Sequence, residues 1–373
     1  MRITGGKVFD PGVGFVGRDV CTEGALISAG SGDGEVFDAS GCYVIPGLTD
    51  IHFHGCKGED FSDGTSEGLA VMAEYELSRG VTQICPAGMT LPEEQLYKIC
   101  RTAAEHRRAE KSKPGAELVG VNLEGPFLSE AKKGAQNGAW LHAPDAELLR
   151  GLLKASEGLV KLVSVAPELP GAPEFIRAVG GEIAVALAHT AADYDTALEA
   201  LRLGAREITH LFNAMPPFSH RAPSVVGAAL DSPGCRVELI CDGVHIHPAV
   251  VRAVFQMFGP ERVILISDSI RGAGMPDGQY TLGGQDVTVR GALATLADGT
   301  IAGSVTDLMG CLKKAVSFGI PLADAVRSAA LNPAEAIGVS DRFGTLDIGK
   351  QANIAVLDQE LDLKAVFFAG QEM

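Results

Sequence analysis

The chain has no surplus of positive charge. It carries 31 Lys and Arg against 47 Asp and Glu, a formal charge of −16, with an isoelectric point near 5.0. Nucleic acid and anionic membranes both require a basic face, so both are excluded as principal partners. The one basic run, residues 101–113, is interrupted by Glu and Ala and reads as a solvated helix end. No apolar run approaches the ~18 residues that cross a bilayer, and the start MRITGGKVFDPG lacks the apolar segment of a secretion signal. A cytoplasmic chain is the expectation. Cys-x-x-Cys pairs are also lacking. Most of the eight cysteines sit in or beside apolar segments such as VTQICPAGM and VELICDGV, which points to reduced, mostly buried thiols and not to a disulfide scaffold or a zinc knuckle. Nor does a G-x-G-x-x-G turn open any helix, which removes the usual sign of an open nucleotide-binding sheet.

What is present alternates. Short apolar runs bounded by turn residues occur as VIPGLTDIHFHG, GVTQICPAGM, ELVGVNLEGPF, VKLVSVAPEL, IAVALAHT, EITHLFNAM, RVELICDGVHI and RVILISDS. Between them, helical periodicity runs over residues 66–79, 92–113, 145–156, 173–180, 193–203, 223–231 and 248–258, and a further helix follows at about 304–318. Alternating units with near-continuous apolar strands imply a parallel sheet covered on both faces, so the expected class is α/β with a (β/α)8 TIM barrel over residues 46–342. Residues 1–45 and 343–373 instead alternate short apolar pieces with Gly turns, and together they predict a small β-sandwich beside the barrel. The segment at about 277–302 reads as a β-hairpin insertion on the active face.

In such a barrel the chemistry gathers where strands end. Six of the nine histidines fall at or just after those ends: His52 and His54, His189, His210, His245 and His247. His52 and His54 are one residue apart, a spacing that turns both rings to one face of an extended strand. Glu124 in NLEGP and Asp268 in ISDS join them. Imidazoles and carboxylates without thiolates suit a divalent ion such as Zn or Fe, and an incomplete protein shell leaves a place for water.

The motifs PGLTDIHFHG, LEGPFLSEAKKGAQN, ITHLFNAMPPFSHR, DGVHIHP and SDSIRGAG, with the tail LNPAEAIGVSDRFGTLDIGKQANIAVLD, resemble the amidohydrolase superfamily. Within it, they resemble the N-acetylglucosamine-6-phosphate deacetylases over nearly the whole length. The resemblance implies a metal held by Glu124, His189 and His210. A second ion is permitted at His52 and His54, with Glu124 bridging, so one or two ions per chain are expected. It implies Asp268 as general base and further ligand, in a hydrolysis that releases acetate by attack of metal-activated water. The sugar phosphate would be held by Asn213, the backbone of Ala214, Arg221 and His245, in a cytoplasmic homodimer with no nucleic-acid or membrane partner. The fourth strand ends in APEL without a lysine, which disfavours the carboxylated-lysine variant.

Three departures bear on the substrate. Gln136 stands where many members have histidine, SDSIRGAG replaces Thr-Asp-Ala with Ser269 and Arg271 near the base, and SHRAPS replaces Gly-Arg-Glu-Pro around Arg221. Gln136 is expected to donate to the substrate carbonyl. Three alternatives stay open: N-acetylgalactosamine 6-phosphate as substrate, a different metal-dependent amidohydrolase acting on an N-acyl amino acid or a nucleobase, and a non-catalytic barrel.

Overall fold

The computed structural model describes residues 1–30, 34–109 and 115–373, so residues 110–113 of the basic run lie outside the described residues. The chain is α/β with a curled parallel sheet. Its strands are Leu48–Asp50, Val81–Ile84, Val121–Phe127, Val160–Val165, Ala184–Leu187, Glu207–Ile208, Arg236–Ile240 and Val263–Ile266. Each pairs in parallel with the next in chain order, the second and third through the short pieces Glu117–Leu118 and Ala87–Gly88. Every residue of Val121–Phe127 and of Val263–Ile266 is buried, as a parallel strand covered on both faces requires.

Helices Ser66–Ser78, Glu93–Ala109, Ala146–Ala155, Ala172–Val179, Tyr194–Leu203, Ser224–Leu230, Pro248–Phe258 and Leu308–Ser317 alternate with these strands. Their starts are written locally. Thr65, Asp145, Asp193 and Asp307 each accept a first-turn N–H with the side chain, a cap worth about 1 kcal/mol apiece. A further helical stretch, Leu322–Val326, continues through a π-helical turn at Arg327–Leu331 into Asn332–Ala336, which the periodicity had not assigned.

Just past the strand ends, the last segment meets the first. The N–H of Asp268 donates to the carbonyl of His52 at 2.9 Å, and that of His54 to Ser269 at 2.7 Å. The two chain ends form a six-stranded sheet in the order Gln371–Glu372, Leu363–Phe368, Ile354–Leu357, Tyr43–Pro46, Lys7–Asp10, Gly14–Gly17. A four-stranded sheet of Leu26–Ser28, Val20–Glu23, Arg2–Thr4 and Val36–Asp38 accompanies it. Ile3, Val8, Val20, Val44, Ile354 and Phe367 from both sheets make a core separate from the main one. Residues 278–295 form a three-stranded antiparallel sheet. Among the described residues no helix is long and apolar enough to cross a membrane.

Candidate active site

Glu124 organises the site from the middle of the third strand. The next residue, Gly125, has φ +117, and a Cβ there would lie 2.3 Å from Thr90 Oγ1, so only glycine lets the chain pass. The two oxygens of Glu124 face different histidines. Oε1 lies 2.9 Å from Nε2 of His210, 3.1 Å from Nε2 of His189 and 3.4 Å from Nε2 of His52. Oε2 lies 3.3 Å from Nε2 of His54 and accepts from Gln136 Nε2 at 2.6 Å. His52 and His54 lie beyond the strand, which ends at Asp50, and the chain bends at His52, with the two ring centroids 5.5 Å apart.

The outer ring nitrogens set the tautomers. Nδ1 of His54 meets the carbonyl of Ala87 at 3.1 Å and Nδ1 of His189 that of Lys132 at 2.9 Å. A carbonyl only accepts, so both Nδ1 atoms carry the proton and, in the neutral ring, each Nε2 lone pair faces Glu124. Nδ1 of His52 meets the Glu238 carboxylate at 2.8 Å.

Two ligand groups result, His52 with His54 and Glu124, and Glu124 with His189 and His210, each with its donor atoms within 4.8 Å of one another. Charge supports a cation there. Burial disfavours a charged His52, yet the carboxylates of Glu238 and Glu124 hold its pKa well above the usual imidazole range. Burial likewise opposes charge on His54, but Asp268 and Glu124 push it up to about 10. Glu124 is itself held well below the carboxylate range, against its burial, first by His52 and then by hydrogen bonds from His189 and His210. Nε2 of His52, fully buried, has no hydrogen-bond partner. Carboxylates that draw protons onto buried rings in this way would be satisfied equally by a divalent ion on the Nε2 lone pairs, so the residues fit such an ion.

Asp268 stands at the end of the last strand, with Oδ1 3.2 Å from Nε2 of His54 and 3.8 Å from Nε2 of His52. Burial pushes its carboxyl up, and the His54 hydrogen bond with the charge of both rings brings it below the usual range. His189, His210 and Asp268 all have left-handed backbones, φ 42, 27 and 48, a costly conformation for these residues. The chain turns sharply just past the strand ends, at the candidate site residues.

A cavity of about 400 Å³ opens over these groups, lined also by Gln136, Asn213, Ala214 and His245. Gln136 is already engaged. Its Oε1 accepts from Thr90 N–H at 2.7 Å while its Nε2 donates to Glu124 at 2.6 Å, so both ends of its amide are occupied within the chain. His245 is oriented by Asp242, whose carboxylate meets Nδ1 at 2.8 Å.

Other sequence candidates lie elsewhere. Arg221 is exposed and borders a different hollow with Asp193, Asp195 and Pro217, because a turn closed by Ser219 and Ala222 throws it outward. His247 caps the helix Pro248–Phe258 through Nδ1 and faces solvent. Ser269, next to Asp268 in the chain, donates to the carbonyl of Gly55, and Arg271 pairs with Asp63 at 3.1 Å and Asp60 at 3.4 Å.

Sequence reasoning missed Glu238, Asp242 and Asp50. Burial pushes Asp50 up to about 7, and its carboxylate accepts from Ser267 at 2.5 Å and from the His52 N–H at 3.1 Å. The missed signal was a carboxylate inside an apolar run: VELIC for Glu238 and LTDI for Asp50. Met89, Leu282 and Ile301, which add an apolar wall to the cavity, gave no such signal.

Comparison with known proteins agrees in direction. The sequence pattern of the Amidohydrolase family matches residues 43–373. N-acetylglucosamine-6-phosphate deacetylase of Bacillus subtilis (strain 168) is 37% identical over 323 residues, 86% of this chain and 82% of that protein. The Bos taurus protein of the same name is 35% identical over 390 residues, 100% of this chain and 90% of that one. A mutant of the Mycobacterium smegmatis deacetylase, solved in complex with N-acetyl-D-glucosamine-6-phosphate, superposes with a TM-score of 0.91 at 33% identity, covering 100% of this chain and 98% of that one.

Proposed function

The chain belongs to the amidohydrolase family, and from that premise we propose that it hydrolyses N-acetylglucosamine 6-phosphate to glucosamine 6-phosphate and acetate. The observation that carries the reading is the sharing of one buried carboxylate, Glu124, between two pairs of histidines at the floor of a sugar-sized cavity.

The family is metal-dependent. We assign Glu124, His189 and His210 to one divalent ion, Zn or Fe, and His52 and His54 to a second that shares Glu124, with Asp268 beside His52 and His54 as a further ligand. Such an ion, when bound, polarises a carbonyl and lowers the pKa of water to about 7. The chain's own residues do the rest. Asp268 takes a proton from the attacking water and returns it to the nitrogen as the C–N bond breaks. Gln136 fixes Oε2 of Glu124, and Asn213, the backbone of Ala214 and His245 line the wall where the sugar would rest.

Residues 46–342 are proposed as a closed (β/α)8 catalytic barrel with the 277–302 insertion at its mouth, and residues 1–45 with 343–373 as a small β-sandwich. The backbone bonds between the ends of the first and last strands support closure. In a cytoplasmic homodimer, a second copy would supply the surroundings that Arg221 lacks in the single chain. The reading is tested by assaying acetate release from N-acetylglucosamine and N-acetylgalactosamine, each with and without the 6-phosphate. The account requires the phosphorylated gluco sugar to be preferred. Preference for the galacto epimer would reassign the sugar, and indifference to phosphate would reassign the substrate to another N-acyl compound.

A further inference from the structure

The histidine ligands differ in what holds their outer nitrogens. For His54 and His189 the acceptor is a main-chain carbonyl, of Ala87 and Lys132, which no substitution there removes. For His52 it is a side chain, Glu238, fully buried in the strand Arg236–Ile240. The same Oε2 atom that meets Nδ1 of His52 at 2.8 Å also accepts the backbone N–H of His210 at 3.2 Å. His52 belongs to one ligand group and His210 to the other.

We infer that Glu238 is a positioning residue that ties the two ligand groups together, presetting the inward lone pair of His52 and holding the strained backbone of His210 in place. This rests on the metal reading above. An acceptor at Nδ1 keeps the proton on that side, leaves Nε2 free for an ion and stops the ring from flipping, and a negative acceptor raises the basicity of the ligand. The backbone contact acts on a residue whose φ of 27 is costly, so its loss would let His210 relax away from Glu124. Outer partners of this kind change metal affinity by about 10- to 100-fold.

The test uses the full chain stripped of metal by chelation and titrated with Co2+, read by the visible absorption of the bound ion, with the melting temperature of the stripped protein recorded in parallel. E238Q retains an acceptor oxygen without the charge and is expected to bind Co2+ about 10-fold more weakly, whereas E238L removes the acceptor and loses about 100-fold. The graded order distinguishes positioning from mere packing. Wild-type Co2+ affinity in E238Q and in the folded fraction of E238L would overturn the inference, even if both variants melt lower. A wild type that binds no Co2+ would overturn the metal reading itself, and the inference with it.

Discussion

Oδ1 of Asp268 stands 3.2 Å from Nε2 of His54. Against its burial, the hydrogen bond from His54 and the charge of both histidine rings hold the Asp268 carboxyl below the usual range, as a proton acceptor requires. Asp268→Asn keeps the shape but removes the proton acceptor, so turnover should fall ~10²–10⁴-fold while substrate still binds. Steady-state kinetics and a binding titration on the same preparation check it, and near wild-type turnover would place the base elsewhere.

Gln136 connects Thr90 N–H to Oε2 of Glu124. Gln136→Leu leaves the buried Thr90 N–H without its acceptor, at a cost of about 1–3 kcal/mol, and leaves Oε2 of Glu124 with His54 alone. Denaturant unfolding of the metal-stripped protein should register this loss. A change below about 0.5 kcal/mol would mean that the neighbours re-pair without it.

His245 and Asp242 form a buried pair with opposite shifts. Burial opposes the charge on both, yet the hydrogen bond between them raises the pKa of His245 and lowers that of Asp242. The stability contributed by His245 is therefore full below its unfolded value of about 6.5 and is lost as pH rises through the raised folded value. That of Asp242 is full above its unfolded value of about 3.9 and is lost as pH falls through the lowered one. Asp242→Asn removes the nearest counter-charge and leaves burial opposed only by the charge of Asp268, so NMR titration should show the His245 pKa falling below that of the wild type. An unchanged value would show that Asp242 does not govern the ring.

Arg221 lies outside the cavity of its own chain. If a second copy brings it to the phosphate, Arg221→Ala should reduce kcat/KM strongly on the phosphorylated sugar and hardly on the unphosphorylated one, since a remote anion would no longer position the amide. Equal losses on both sugars would remove Arg221 from the substrate site. Sedimentation of the wild type as a monomer would do the same.

The candidate ligands were legible because they are chemically out of place: histidines and carboxylates at the ends of apolar runs stand out without any knowledge of the fold. The alternation of strand and helix was legible for a related reason, since strands covered on both faces have little freedom in composition. Elsewhere tertiary context overrode local pattern. EITHLFNAM reads as one strand, but pairing stops at Ile208 because His210, Phe212 and Ala214 adopt positive φ to turn the chain over the site. The stretch 322–336 escaped because Pro333 interrupts its period, and the chain absorbs the break with the π-helical turn just before it. Glu238 was signalled as an acid inside the apolar run VELIC, but its partner, His52, is visible only in the fold. The position of Arg221 depends on a loop turn that motif matching does not describe.

The account is tested most directly by acetate release from N-acetylglucosamine 6-phosphate, measured on the purified protein, after exhaustive chelation, and after return of Zn2+ or Fe2+. It predicts deacetylation that disappears with the metal and recovers with it, with at least one ion per chain by elemental analysis of the active form. Full activity in a preparation free of divalent metal, or no acetate released from the sugar phosphate by a metal-loaded one, would contradict it.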